Sequence, residues 1–188
     1  MMTNANDHTN DQELQSDAQQ VEELACALDG CAATYRLLAR TYRHELDQDA
    51  IDEIRAMRFP AYTGSDYMDQ GYRGIASYLS KVGAAAVGEL EVDYSRTFIG
   101  GGIDSYSAAY PYESVHVGRK RLMMQAARDE VLAIYSAYGL AKSGAMKEGE
   151  DHIAYELEFL QVLCERSAET LRAGDEEAAE SLLAARHL

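Results

Sequence analysis

Apolar residues recur at helical spacing along most of the chain. In the first such stretch, Ala18 to Leu46, they follow one another at steps of three or four residues. This places them on one helix face: Leu24, Leu28, Cys31, Tyr35, Leu38 and Tyr42. The same criterion predicts further helices over Ile51–Met57, Ser65–Val82, Ala84–Phe98, Arg119–Tyr138 and Asp151–Ala173, with a last one after Asp175. No alternating strand pattern appears, so the sequence predicts an all-α protein, a compact bundle of roughly six or seven helices.

The first 17 residues are polar, and we expect residues 1–17 to form a disordered tail and 18–188 a single helical domain.

Two predicted helices begin with a residue that can cap them. Asp151 is the expected N-cap of the long helix, whose inner face would consist of Ile153, Leu157, Leu160, Cys164 and Leu171. Asp175 would cap the last helix in the same way.

The charge of the chain restricts its partners. A formal net charge of -15, from 32 acidic and 17 basic residues, disfavours nucleic acid and anionic membranes and favours a cationic partner such as a basic peptide. No apolar run approaches the roughly 20 residues of a membrane span, so no membrane insertion is expected. Three cysteines without a CxxC pair, and an N-terminus without signal-peptide features, predict a cytoplasmic protein.

The segment from Glu89 to Val117 holds two aromatic clusters joined by flexible backbone. Tyr94 and Phe98 precede Gly100, Gly101 and Gly102, and Tyr110-Pro111-Tyr112 closes the segment. Glycine permits close approach of another chain, and proline fixes its own φ. Two interpretations stay open: an ordered functional loop, or a connection between helices whose tyrosines fill the core.

A second segment, Glu148-Gly149-Glu150-Asp151-His152, could also carry chemistry. His152 and Glu156 are four residues apart on one helix, with Glu148 nearby, so a metal-dependent hydrolase built on these three residues is one alternative. Nucleophilic catalysis finds less support, because Ser114 has no base that the sequence reveals. The glycines at 100–102 follow a helix and lack the GK[ST] of a phosphate loop.

Taken in order, these motifs resemble a known family. The chain reads E-x-x-x-D-Y-x-R-x-F over 89–98, P-Y-E-S-V over 111–115 and E-x-x-D-H over 148–152, followed by E-L-E-F-L at 156–160. This succession is similar to the TorD/DmsD/NarJ family, cytoplasmic chaperones of bacterial molybdoenzymes, and the resemblance covers Ala18 to Leu188.

The resemblance implies an all-helical chaperone without enzymatic activity or a cofactor of its own. Such proteins bind the twin-arginine signal peptide of a molybdopterin oxidoreductase and delay its export until the cofactor is inserted; the mature catalytic subunit is a further expected contact. Carried over motif by motif, the candidate signal-peptide-binding residues are Tyr94, Phe98, Gly100, Pro111, Tyr112, Ser114, Glu148, Asp151 and His152. The motifs do not identify the client reductase.

Three departures from the family pattern affect these expectations. Thr97 replaces the usual Leu, which would make the binding groove less apolar, and Glu150 replaces the usual Pro, which would loosen the loop before Asp151. Relatives usually continue past Leu188, so residues 18–188 would lack the family's last helices. Since some members swap domains, a domain-swapped homodimer is one expectation. A helical oligomeric protein using residues 94–112 as its interface remains the other alternative.

Overall fold

The chain is almost entirely helical in the computed structural model, which describes residues 5–83, 86–100, 108–144 and 147–184. The α-helices of this part are α1 (Ala5–Arg43), α2 (Gln48–Ala56), α3 (Asp66–Leu79), α4 (Ala86–Tyr94), α5 (Glu113–Val117), α6 (Ala126–Ala137), α7 (Ile153–Arg172) and α8 (Glu176–Ala184). A π-helical turn, Ser95–Ile99, extends α4. The all-α class is confirmed, with one helix more than expected in these ranges, because the five-residue α5 is too short to show a period.

Side-chain caps fix several helix starts. The carboxylate of Asp47 accepts a hydrogen bond from the N–H of Ala50 at 2.8 Å and begins α2. Ser65 is the N-cap of α3, and Asp175 accepts from the N–H of Ala178 at 3.0 Å before α8, as predicted. The helix predicted from Arg119 begins only at Ala126, because residues 118–125 turn through left-handed backbone at Arg121 and Met124.

The chain divides into two compact units. The first comprises residues 1–40 and 112–188, and the second comprises 41–111. The length of the chain predicts a single domain over 18–188, and α1 itself continues past residue 40. Helix α1 also begins at Ala5, inside the stretch for which the sequence predicts a disordered tail.

In the first unit, α7 carries two apolar clusters. One cluster packs α7 against α1 and α8 through Ala25, Leu28, Ala32, Cys164, Ala168, Leu171 and Ala179. The other packs α7 against α6 through Val131, Tyr135, Tyr155, Phe159 and Leu163. At the surface, the guanidinium of Arg172 donates to Glu22 at 3.1 Å and to Asp29 at 2.8 Å, which pairs α7 with α1.

The second unit is held by aromatic and polar contacts. Phe59 stacks on Tyr72 with ring centroids 5.0 Å apart. The buried Asp69 of α3 accepts from the N–H of Thr63 at 2.8 Å and from its hydroxyl at 2.7 Å.

None of the helices in the described ranges has the length and apolar character needed to cross a bilayer.

Candidate functional site

A buried carboxylate joins the P-Y-E-S-V and E-x-x-D-H motifs within the first unit. Asp151 and Ser114 are both fully buried, and Asp151 accepts hydrogen bonds from the backbone N–H of Ser114 at 3.0 Å and from its hydroxyl. The N–H of Glu113 donates to the carbonyl of Asp151 at 2.9 Å, and Tyr112 and His152 form an isolated antiparallel bridge. The two motifs therefore form one structure although Tyr112 and Glu148 are 36 positions apart in the chain.

His152, and not Asp151, is the N-cap of α7, so the predicted cap is wrong by one position. Its Nδ1 accepts from the N–H of Ala154 at 3.1 Å. The carboxylate of Asp151 instead accepts from both donors of Ser114, which would otherwise be buried without an acceptor. The His152 ring contacts Tyr112 edge-on, with centroids 5.0 Å apart, and lies 5.7 Å from Tyr155.

Glu148 is the exposed carboxylate of this arrangement. The hydroxyl of the buried Tyr112 donates to its Oε2, and Lys142 Nζ donates to its carbonyl at 2.5 Å. Burial and, after it, the hydrogen bond to Glu148 raise the pKa of Tyr112, so the phenol keeps its proton. One hydrogen bond to its side chain and one to its backbone carbonyl therefore fix the position of the exposed Glu148.

Glu150 ties the same loop to α6. Its carboxylate lies 2.5 Å from Arg128 Nε and 3.3 Å from Lys142 Nζ, and the hydrogen bond from Arg128 is the main reason that its pKa is lowered. The sequence predicts that glutamate in place of proline loosens this loop. The structure places Glu150 in two ion pairs, and the looser loop stays a prediction.

A half-buried acidic group, Glu156, lies at the start of α7. Burial, followed by the charges of Glu113 and Asp151, raises the pKa of Glu156 to about 7. The metal-site alternative placed Glu156 with Glu148 and His152. Across the described ranges, no three His, Cys, Asp or Glu side chains are grouped so that they could hold a metal ion, and His152 Nδ1 already accepts the N–H of Ala154.

The remaining candidates belong to the second unit. The Tyr94 hydroxyl donates to the Tyr42 carbonyl at 2.9 Å, and Phe98 packs 5.2 Å from Tyr94 and 5.4 Å from Tyr42 between ring centroids. Gly100 ends the π-helical turn with φ at 75°. Pro111 is half-buried at the end of this unit, and the predicted loop glycines Gly101 and Gly102 lie outside the described residues.

The structure therefore brings together Tyr112, Ser114, Glu148, Asp151 and His152 in the first unit, and Tyr94 with Phe98 in the second. Sequence reasoning missed Arg128 and Lys142, which hold the loop. The only available signal was that Glu150 stands between helices with a lysine eight residues before it, and that pattern is too common to predict a contact.

These features define the class: an all-helical protein in which two motifs meet through a buried carboxylate and present one exposed glutamate. Residues 65–188, well over half of the chain, match the family model described as nitrate reductase delta subunit. The chain belongs to this family, the TorD/NarJ family that its motifs resemble.

The chain is also similar to individual proteins. The chain is 24% identical over 135 residues to the chaperone protein TorD of Aliivibrio salmonicida, covering 69% of this chain and 61% of that protein. It is 32% identical over 97 residues to the chaperone protein TorD of Photobacterium profundum, covering 52% and 42%. The chain thus spans less than two-thirds of the length of these relatives. A crystal structure described as a candidate redox enzyme maturation protein from Archaeoglobus fulgidus covers 76% of this chain and 91% of its own, at 21% identity and a TM-score of 0.46.

Proposed function

We propose that this protein is a cytoplasmic chaperone in the maturation of a redox enzyme and has no catalytic activity of its own. Membership of the TorD/NarJ family and the similarity to proteins named chaperone TorD support this proposal. The observation that carries it is the exposed Glu148, held by Tyr112 and Lys142 above the buried link between Ser114 and Asp151.

The proposed ligand is the twin-arginine signal peptide of a molybdopterin oxidoreductase. Glu148 would receive an arginine of the pair, because a guanidinium can donate two parallel hydrogen bonds to a carboxylate and an ammonium cannot. Asp151, Ser114 and His152 would act indirectly, by fixing the loop that presents Glu148. Because its carboxylate is fully buried, Asp151 is then a positioning group and does not itself contact the peptide.

The apolar part of the leader would bind to exposed aromatic side chains of the protein. Tyr94, Phe98 and Pro111 are half-buried, and we propose that the exposed portions of these side chains contact the hydrophobic part of the leader, with Gly100 permitting close approach. Binding would delay export until the cofactor is inserted into the client, whose mature catalytic subunit is a second proposed contact. A homodimer with swapped domains is part of the same proposal, and light scattering would measure its mass.

Calorimetric titration with a synthetic twin-arginine leader of a molybdoenzyme encoded beside this gene tests the proposal. We expect a Kd of about 1 μM or lower, and binding at least about tenfold weaker for a leader with both arginines replaced by lysine. Equal binding of the two peptides, or no binding of either, would contradict the proposal.

A further inference from the structure

A small cleft opens between α6 and α7 in the first unit. Its volume is about 120 Å³, and its walls are mainly apolar: Tyr135, Leu140, Tyr155, Phe159 and Val162. Ala141 is exposed and also lines the cleft. We call this feature the α6–α7 pocket. None of its lining residues is among the candidate peptide-binding residues.

The walls of the α6–α7 pocket are fixed by the core behind them. Tyr135, Tyr155 and Phe159 belong to the buried cluster that packs α6 on α7, and the Tyr135 and Phe159 rings lie 5.1 Å apart between centroids. Close-packed aromatic walls cannot rotate to fill the space without disturbing the core. The pocket is therefore preformed, as sites for small apolar groups commonly are.

Contacts connect the α6–α7 pocket to the loop of Glu148. Lys142 lines the pocket and donates to the Glu148 carbonyl at 2.5 Å. The hydroxyl of Tyr135 donates to the Glu150 carbonyl at 3.4 Å. The ring of Tyr155 lies 5.7 Å from that of His152. The pocket and the exposed carboxylate are thus two parts of one surface.

The volume of the α6–α7 pocket and the charges around it indicate which ligand it can bind. A cavity of about 150 Å³ holds one benzene molecule, so about 120 Å³ suits a single leucine-sized side chain. Glu158 lies on the wall, and Lys142 is within 3.3 Å of the Glu150 carboxylate, which offsets its charge. In a chain with a net charge of -15, this surface attracts a cationic peptide.

We propose that the α6–α7 pocket receives one apolar side chain of the leader whose arginine contacts Glu148. The inference rests on the proposed function and adds a selectivity element to it. Arginine recognition alone would accept every twin-arginine leader. A pocket for one side chain at a fixed place beside Glu148 selects leaders with an apolar residue at one matching position.

The test combines peptide and protein variants in calorimetric titrations. Each apolar residue that follows the arginine pair of the leader is replaced by serine, one at a time. Ala141→Trp places a large side chain at the pocket, and its exposed position makes the substitution compatible with folding. Ala137→Trp, on the exposed face at the end of α6 and outside the pocket, is the matched control.

We expect serine at one leader position to weaken binding to the wild-type protein about tenfold, or about 1.4 kcal/mol, as for loss of one buried aliphatic side chain. Ala141→Trp should weaken binding of the unmodified leader by a similar factor and leave the affinity for that serine variant unchanged. Ala137→Trp should change neither affinity.

Two results would overturn the inference. The pocket is not a subsite if serine weakens binding equally at every leader position, or if its effect at one position is just as large in Ala141→Trp. The proposed function would still stand in that case if the protein kept its preference for arginine over lysine. If no leader binds the wild-type protein, the inference and the proposed function fail together.

Discussion

At the scale of single residues, Asp151 determines how the two motifs meet. One carboxylate oxygen accepts both hydrogen bonds from Ser114, while Oδ1 has no hydrogen-bond partner in the described part of the chain. A Cβ atom at Gly149 would lie 3.0 Å from Oδ1, so the loop backbone closes tightly over this oxygen. The side chain is thus enclosed by the loop that presents Glu148.

Asp151→Ala is predicted to lower the free energy of unfolding by about 2–4 kcal/mol, because the buried N–H and hydroxyl of Ser114 lose their acceptor. Asp151→Asn keeps one acceptor oxygen and should cost less. Asp175→Ala, which removes an exposed helix cap, is the control and should cost about 1 kcal/mol. Urea unfolding measures all three. An Asp151→Ala protein as stable as Asp175→Ala would contradict this role.

Asp151 also shows what the sequence could predict at this scale. The resemblance names residues of both motifs as candidate peptide-binding residues, and the structure brings the two motifs together at Asp151. The E-x-x-D-H motif could not predict whether Asp151 or His152 caps α7, because both side chains carry an acceptor at the helix start. The choice depends on the two donors of Ser114, which lie 37 residues away in the chain.

Glu156 should make stability depend on pH. Its folded-state pKa of about 7 exceeds the ordinary 4.5, so the folded state binds more protons between these values. This contribution to stability is fully present below pH 4.5 and is lost as the pH rises through 7. We therefore expect Glu156→Gln to be more stable than the wild-type protein at about pH 8, with a smaller difference at about pH 5.

The comparison of the two proteins cancels the groups that titrate alike in both. Glu113 is coupled to Glu156, because its own pKa is also raised and its charge helps to raise that of Glu156, so the measured difference reports this pair. Urea midpoints across the pH range provide the measurement. A constant difference between wild type and Glu156→Gln would show that Glu156 does not titrate between these values.

At the scale of elements, the sequence predicts the helices better than their buried faces. On α1, Leu24 and Leu38 are 48% and 39% exposed, whereas Ala25, Ala32 and Ala39 are buried. On α7, Phe159 and Leu163 are buried where Leu157 and Leu160 were expected. Apolar residues occupy two neighbouring stripes of each helix, and periodicity alone cannot choose between them. On α1 the stripe of small residues packs against Cys164 and Ala168 of α7, a choice that only tertiary packing reveals.

Gly118, directly after α5, allows a test of how tightly this helix end is packed. A Cβ atom on Gly118 would lie 2.6 Å from the carbonyl oxygen of Ser114, so Gly118→Ala forces the backbone apart. We predict a loss of about 1–3 kcal/mol in the free energy of unfolding, as for other overpacked sites.

Gly30→Ala is the matched control. Gly30 is exposed in the middle of α1, and a Cβ atom added there would have open space within 4 Å, so alanine should stabilise the protein by about 0.5–1 kcal/mol. Thermal or urea unfolding should therefore give changes of opposite sign for the two substitutions. Similar changes at both positions would show that the contact at Ser114 does not constrain α5.

At the scale of the whole molecule, the net charge of -15 should govern how fast a basic leader associates. Twin-arginine and twin-lysine leaders carry equal formal charge, so we predict similar association rate constants that fall together as salt is raised. Their dissociation rate constants should differ, because only arginine forms the bidentate contact with a carboxylate. Surface plasmon resonance at low and high salt separates the two rates. Association that is insensitive to salt would contradict steering by charge.

Composition and motif order identified the helical class and the family without coordinates. The division at residues 40 and 112 was not predicted, since one long helix and one continuous segment cross it. Sequence patterns of apolar spacing describe single helices and contain no information on where contacts between distant segments become sparse.

The most direct test of the central claim is whether Glu148 itself meets the arginine pair. Glu148→Gln keeps an acceptor for Tyr112 and removes the charge, and Glu169→Gln on the exposed face of α7 makes the same change in net charge elsewhere. Calorimetry with both leaders should show that Glu148→Gln loses most of the preference for arginine over lysine, about tenfold, whereas Glu169→Gln retains it. A preference that survives unchanged in Glu148→Gln would contradict the account.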